Sequence, residues 1–169
     1  MDETSSVEGI KASAKKIIAQ YEGLRLKAYP DPATHGAPWT IGYGSTSHAD
    51  GSRIAPAETW TQEQCDADLD RRLDGLMMDV GSLVQVPLPD EAMAALMSLA
   101  YNCGVNVERR SLKNGGLLTV LNAGNYQQAA DDFMHYDHAA GAVYLPLERR
   151  RSQERDLFLA SCHAAGLLP

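Results

Sequence analysis

The sequence lacks any uninterrupted apolar run of the roughly 18 to 20 residues that a membrane span requires, so stable insertion of a helix into a bilayer is not expected. It also lacks a leader of the secretory kind. Met1-Asp2-Glu3-Thr4-Ser5-Ser6 is acidic and polar, without a basic segment followed by an apolar one, and the expectation is a chain made soluble in the cytosol and exported by another route. A basic surplus is missing too: 15 Lys and Arg stand against 22 Asp and Glu, a net charge of −7, which argues against a nucleic-acid partner. Cysteine is scarce. Cys65, Cys103 and Cys162 form no CxxC pair and are odd in number, so reduced, buried thiols are expected rather than a disulfide. None of the three has a neighbouring His in sequence that would nominate it as a nucleophile. Internal repeats, low-complexity linkers and phosphate-cradling loops are absent as well.

What is present is one domain's worth of chain: 169 residues, enough for a single core or two small lobes sharing one. The acidity is local. Residues 58–91 hold nine acids against Arg71 and Arg72; removing those from the totals leaves thirteen charges of each sign elsewhere. Ser5-x-x-Glu8 reads as a capping box, followed by Val7, Ile10, Ala14, Ile17, Ile18 and Tyr21 at helical spacing, an amphipathic helix ending near Gly23. From Leu24 to Gly44, alternation interrupted by Pro30, Pro32, Gly36 and Pro38 predicts an antiparallel hairpin with a long turn. Thr61-x-x-Gln64 opens a second helix with Cys65, Leu69, Leu73, Leu76, Met77, Val80, Leu83 and Val84 on its apolar stripe and its acids toward water. Pro87-Leu88-Pro89 stops it, and Asp90 is expected to cap a third. Helical pieces follow near 116–122, 126–136 and 147–161. The fold class is α+β: a small N-terminal lobe with a β-hairpin over about 15–60, a linking helix over about 61–84 and a helical C-terminal lobe over about 85–169, with the first helix packing on that lobe.

Chemistry concentrates between Tyr21 and Gly44. Alternation along Trp39-Thr40-Ile41-Gly42-Tyr43-Gly44 puts Trp39, Ile41 and Tyr43 on one face and Thr40, Gly42 and Gly44 on the other, which is nearly bare and suited to a ligand pressed against the sheet. Glu22 lies at the end of an apolar-striped helix, where burial and the helix dipole would favour its protonated form, as a general acid needs. Asp31, between two prolines in a wetter turn, is expected to stay ionised. Two carboxyl groups in contrasting surroundings suit glycoside cleavage. Each also has a plainer reading: Glu near a helix end as a solvated charge, Asp between prolines as a turn former, Thr40 as an ordinary strand residue.

The run Glu22-Gly-Leu-Arg-Leu-Lys-Ala-Tyr-Pro-Asp31, then Trp39-Thr40-Ile41-Gly42-Tyr43-Gly44, closely resembles the active-site stretch of phage-type lysozymes (endolysins), glycoside hydrolase family 24. The resemblance continues through Leu99-Ala-Tyr-Asn102-Cys-Gly104, Leu117-Leu118, Leu121-Asn122-Ala-Gly124 and Leu147 to Phe158, roughly residues 15–160. It implies a lysozyme-like fold and hydrolysis of the β-1,4 bond between N-acetylmuramic acid and N-acetylglucosamine in peptidoglycan, with inversion. Glu22 matches the general acid, Asp31 the carboxylate that activates or positions water, and Thr40 the threonine that holds that water. Gly42, Asn102 and Arg150 are implied on the substrate side, with Arg150 favoured among Arg149–Arg151 as the arginine near the acid. No cofactor or metal is implied. The partner is the glycan strand. Release by a holin, residence in the host cytoplasm and then at the periplasm and wall, and a monomeric state are the accompanying expectations. A lytic transglycosylase, which needs only the acid, and an inactive peptidoglycan-binding protein are the alternatives.

The chain departs from the family pattern in places. Nine residues separate Asp31 from Thr40, longer than the six common in the family, so the turn with Ala33-Thr34-His35 is enlarged. Gly44-Ser45 stands where many members have Gly-His, with His48 a substitute for the missing histidine contact, and Pro146 replaces a glycine before Leu147. Elsewhere, His135-x-x-His138 with Asp137 has a metal-like spacing but no further ligands nearby, and reads as a surface pair. Arg109-Arg110 reads as part of a solvated face, and Met77-Met78, Met93 and Met97 read as core fillers.

Overall fold

The first helix, α1 (Glu3–Glu22), turns Ile10, Ala14, Ile17 and Ile18 inward at intervals of four, three and one. It ends where Gly23 takes φ +67° and donates its N–H to the Ala19 carbonyl at 3.2 Å, a left-handed stop that glycine adopts without steric cost. Because the helical backbone already begins at Glu3, Ser5 lies inside the helix and is not its cap. The structure, a computed structural model, describes residues 3–31, 34–104, 116–139 and 141–169. The expected Arg109-Arg110 face and Pro32-Ala33 of the enlarged turn lie outside the described residues. The chain divides into two units, Lys15–Asp74 and Met1–Ala14 with Gly75–Pro169, the divisions falling inside α1 and α2.

Within Lys15–Asp74, β1 (Arg25–Pro30) and β2 (Trp39–Gly42) pair antiparallel, with Arg25 opposite Gly42, Tyr29 opposite Thr40 and Pro30 opposite Trp39. Four residues of β1 run past two of β2 between those pairs, a bulge that twists the ribbon locally. The other edge of β1 is bonded as well: Ala28 N–H donates to the Glu58 carbonyl at 2.8 Å and Trp60 N–H to the Leu26 carbonyl at 2.9 Å. Ala28, Ile41 and Ile54 form a small apolar core, with Trp39 and Trp60 packed against it. Helix α2 (Gln62–Gly81) starts as its sequence predicts. Thr61 N–H donates to the Gln64 side-chain oxygen at 2.8 Å, and Gln64 N–H donates to the Thr61 hydroxyl at 3.2 Å. Its Cys65, Leu69 and Leu73 are buried.

The other unit is helical. It holds α3 (Asp90–Cys103), α4 (Leu117–Asn122), α5 (Tyr126–Asp132), a 3-10 turn (Phe133–Tyr136), a ribbon of β3 (His138–Ala139) and β4 (Ala142–Val143), and α6 (Leu145–Ala164). Helix α3 buries a continuous run from Ala94 to Ala100 and packs on α6. Phe133 and Phe158 meet with ring centroids 5.6 Å apart. Pro146 falls in the first turn of α6, where a missing N–H breaks no helical bond. Several local expectations give way. Pro89, not Asp90, holds the capping position of α3, and Asp90 instead accepts a hydrogen bond from the Ser6 hydroxyl at 2.8 Å. The segment 126–136 breaks into an α-helix and a 3-10 turn, and His138 lies in a strand, so it shares no helix face with His135. Met97 is core, as expected, whereas Met78 is exposed. Cys65 and Cys162 are buried thiols and Cys103 is half-buried; burial pushes the Cys162 thiol up to about 11.

Candidate active site

Three of the six expected site residues, with Gly42 a fourth, lie in Lys15–Asp74, and their placement follows from the hairpin. Glu22 is the last residue of α1 and is half-buried. Three residues later β1 begins, and it carries the chain to Pro30, just before Asp31. Asp31 then shapes the long turn. Its N–H donates to the Gly36 carbonyl at 3.0 Å, its carbonyl accepts from His35 N–H at 2.8 Å, and its carboxylate accepts from Thr34 N–H at 3.1 Å, the local pattern that makes Asp a turn residue. His35 sits at φ +53°, within that turn. Asp31 and Thr40 are both half-buried. Thr40 pairs with Tyr29, and Asp31 directly follows the last residue of β1, so both lie at the turn end of the hairpin.

At the far end from that turn, β2 runs into a tight loop. Ile41 and Ser45 exchange both backbone hydrogen bonds, at 2.9 and 2.8 Å, around Gly42-Tyr43-Gly44. The two glycines serve different ends. Gly42, at φ +63°, has Cys65 Sγ 3.5 Å and Trp60 Cε3 3.6 Å from where a Cβ would stand. A Cβ there would be in ordinary contact with α2 and Trp60, so it is the left-handed backbone that calls for glycine, and the position faces α2 and Trp60, not an open ligand face. The strand ends at Gly42, so the expected alternation does not reach Gly44. Gly44, at φ +91°, is the glycine that meets the acid: a Cβ there would stand 3.5 Å from Glu22 Oε2. Its signal in the sequence was only the second glycine of Trp39-Thr-Ile-Gly-Tyr-Gly44.

The loop is held down by α2. Tyr43 donates its phenol to Asp66 at 3.2 Å, and Ser45 donates its hydroxyl to Asp68. Arg72 donates to the Ser45 hydroxyl at 2.9 Å and to the Tyr43 carbonyl at 3.5 Å, while Arg71 pairs with Asp68 at 2.6 Å. From α1, Lys15 reaches Asp70 at 2.9 Å and Asp66 at 3.6 Å. Burial and then the Asp66 carboxylate push the Tyr43 phenol above its usual value, which keeps it a neutral donor. Burial opposes the Lys15 charge, but Asp70 and Asp66 outweigh it and hold the ammonium protonated. The acids of α2 that were expected to face water are thus, in part, the anchor of the loop beside Glu22. His48 does not take that place: it pairs with Glu58 at 3.1 Å and lies against Trp60, with ring centroids 5.7 Å apart.

Asn102 and Arg150 belong to the helical unit. Asn102 is exposed in the last turn of α3 and accepts from Arg151 at 3.3 Å. Arg150 is buried, donating to Glu154 at 3.1 Å and to the Ser98 carbonyl and hydroxyl at 3.1 and 3.3 Å. Arg151, also buried, donates to Glu154 at 2.9 Å and to Cys103 Sγ at 3.2 Å. Glu154 is fully buried between the two arginines and accepts from the Ser98 hydroxyl at 2.6 Å. The sequence marked the arginines but gave no sign that Ser98, from α3, completes their network. No group of three or more His, Cys, Asp or Glu suited to a metal ion occurs among the described residues.

The chain is similar to several known proteins. The endolysin of Salmonella phage P22 is 40% identical over 143 residues, covering 85% of this chain and 92% of its own. The endolysin of Bacillus phage B103 is 37% identical over 150 residues, covering 89% of this chain; the chain spans about half of that relative's length, 54%. The solved muramidase domain of SpmX from Asticaccaulis excentricus superposes with a TM-score of 0.73 at 31% identity, over 88% of this chain and 95% of that one. Fold and likeness together define the class as that of the phage lysozymes. The phage lysozyme family model matches residues 19–154, a stretch that contains Glu22, Asp31, Thr40, Asn102 and Arg150, and the chain belongs to that family.

Proposed function

We propose that the chain cleaves the β-1,4 bond between N-acetylmuramic acid and N-acetylglucosamine in peptidoglycan, with inversion at the anomeric carbon, in lysis of the bacterial wall. Glu22 protonates the departing glycosidic oxygen. Asp31 takes a proton from a water molecule that the Thr40 hydroxyl holds, and that water attacks the anomeric carbon from the opposite side. The observation that carries this reading is the course of one strand: β2 holds Thr40 beside the turn that Asp31 begins, and the loop that follows it brings Gly44 against the Glu22 carboxylate. The Thr34 N–H orients the Asp31 carboxylate, and a half-buried setting leaves all three groups open to a polymer. Asn102 contacts the glycan directly. Arg150, being buried, acts through Ser98 and Glu154, and Gly42 acts through its backbone.

The substrate partner is the glycan strand, without nucleic acid. No helix among the described residues is long and apolar enough to cross a membrane, which accords with passage from the host cytoplasm to the periplasm and wall through a pore made by a separate holin. The acting species is a monomer. The test is a pair of near-isosteric substitutions assayed on purified peptidoglycan. Glu22→Gln is expected to abolish turnover with an unchanged thermal midpoint, and Asp31→Asn to lower it by at least about a hundredfold. Parental turnover in Glu22→Gln would refute the acid assignment, and parental turnover in Asp31→Asn would refute the water-activating role.

A further inference from the structure

Ser45 is 3% exposed. A buried hydroxyl is costly unless paired. Here the hydroxyl is paired twice, donating to Asp68 and accepting from Arg72 at 2.9 Å, between two oppositely charged groups of one helix. Asp68 is itself drawn in by Arg71, and Arg72 reaches past Ser45 to the Tyr43 carbonyl. The backbone of Ser45 closes the loop on Ile41, so whatever fixes Ser45 fixes Gly44, one residue away. The same stretch of α2 also sets α1. Lys15, which pairs with Asp66 and Asp70, precedes Glu22 by seven residues, two helical turns, so it lies on the same side of α1 as the acid.

We propose that Ser45, held between Asp68 and Arg72, is a positioning residue for Glu22. The charged strip of α2 grips the 41–45 loop through Ser45 and Tyr43 and grips α1 through Lys15, and this sets Gly44 against the Glu22 carboxylate. In this chain the serine fastens the loop as a neutral hydroxyl between two charges. Ser45 touches neither a glycosidic oxygen nor a water in this scheme. It acts through the loop. The inference rests on the reading of Glu22 as the acid.

Two measurements separate the inference from that reading. The first is on the loop alone: the Gly44 amide and the Glu22 carboxyl-carbon resonances of the labelled protein. Ser45→Ala and Asp68→Asn are expected to move both, and Ser45→Thr, which keeps the hydroxyl, to leave them near the parent. The second is turnover on peptidoglycan fragments. Ser45→Ala is expected to lower kcat by about tenfold, with KM within about twofold, because displacement of a catalytic group costs the chemical step and not the binding of the polymer. Ser45→Thr should recover kcat to within about threefold. Parental resonances in both Ser45→Ala and Asp68→Asn, or an effect on KM alone, would overturn the proposal. Thermal unfolding keeps the test sound: a variant that unfolds is replaced by Arg72→Lys, which retains the charge but not the reach to both Ser45 and Tyr43. Parental activity in Glu22→Gln would instead remove the catalytic reading, while the resonances would still decide whether Ser45 positions the loop.

Discussion

Glu154 shows how residue type and surroundings must be read together. Its carboxylate lies fully buried between Arg150 and Arg151, and the three form a charged knot inside the helical unit. Replacing a whole buried triad by apolar groups can be neutral, but removing one member leaves the others charged and dry. Glu154→Ala is therefore expected to destabilise the protein by roughly 3–5 kcal/mol, a large share of the roughly 5–15 kcal/mol typical of a domain. Urea unfolding, followed by circular dichroism, measures it; a loss below about 1 kcal/mol would mean that the knot is not a charged one. The residue scale is also where the sequence was least complete. Gly42 and Gly44 look alike in the run Trp39 to Gly44, yet one faces Cys65 and Trp60 and the other Glu22. Only the far-off partners distinguish them, and those partners are set by tertiary packing.

Elements were more legible, because they are written in short-range patterns. The reciprocal bonds of Thr61 and Gln64 follow directly from the spacing of two residues. The same pattern at Ser5 and Glu8 did not mark a helix start, since the helical backbone begins earlier, at Glu3. The hairpin was legible from its alternation and its prolines, but its bulge and its second bonded edge were not. That edge depends on Glu58, whose carboxylate ties the 55–60 segment together. It accepts from Ala55 N–H at 2.9 Å and from the Trp60 indole at 2.8 Å, with His48 at 3.1 Å. The Ala55 N–H, then the Trp60 N–H and His48, outweigh burial and hold the Glu58 carboxyl below the usual glutamate range. A carboxyl with a lowered folded-state pKa contributes stability that is present above its unfolded value and is lost as pH falls through the folded one. From about pH 4.3 downward, the thermal midpoint of the parent should thus fall more steeply than that of Glu58→Gln. Parallel curves for the two would show that this carboxylate braces nothing.

At the scale of the whole molecule, the net charge of −7 bears on how the protein meets its substrate. The acids that produce the surplus lie largely in and around α2, and several are consumed in holding the loop and α1. No cationic surface excess is left to draw the protein to an anionic wall, so screening has little attraction to remove. Turnover on whole walls should change by less than about twofold between roughly 50 and 200 mM salt; a steep decline, of the kind a cationic lysozyme gives, would contradict this. The division into Lys15–Asp74 and Met1–Ala14 with Gly75–Pro169 falls within α1 and within α2, not in a loop.

The central claim, hydrolysis by an acid at the end of α1 and a water held beside the hairpin, is tested most directly by mass spectrometry of the fragments released from purified peptidoglycan. The account predicts hydrated N-acetylmuramic acid at every new reducing end, one water added for each bond cut. Anhydro ends would show that no water is delivered by Asp31 and Thr40, and an unaltered polymer would show that the family's fold is kept here without its chemistry.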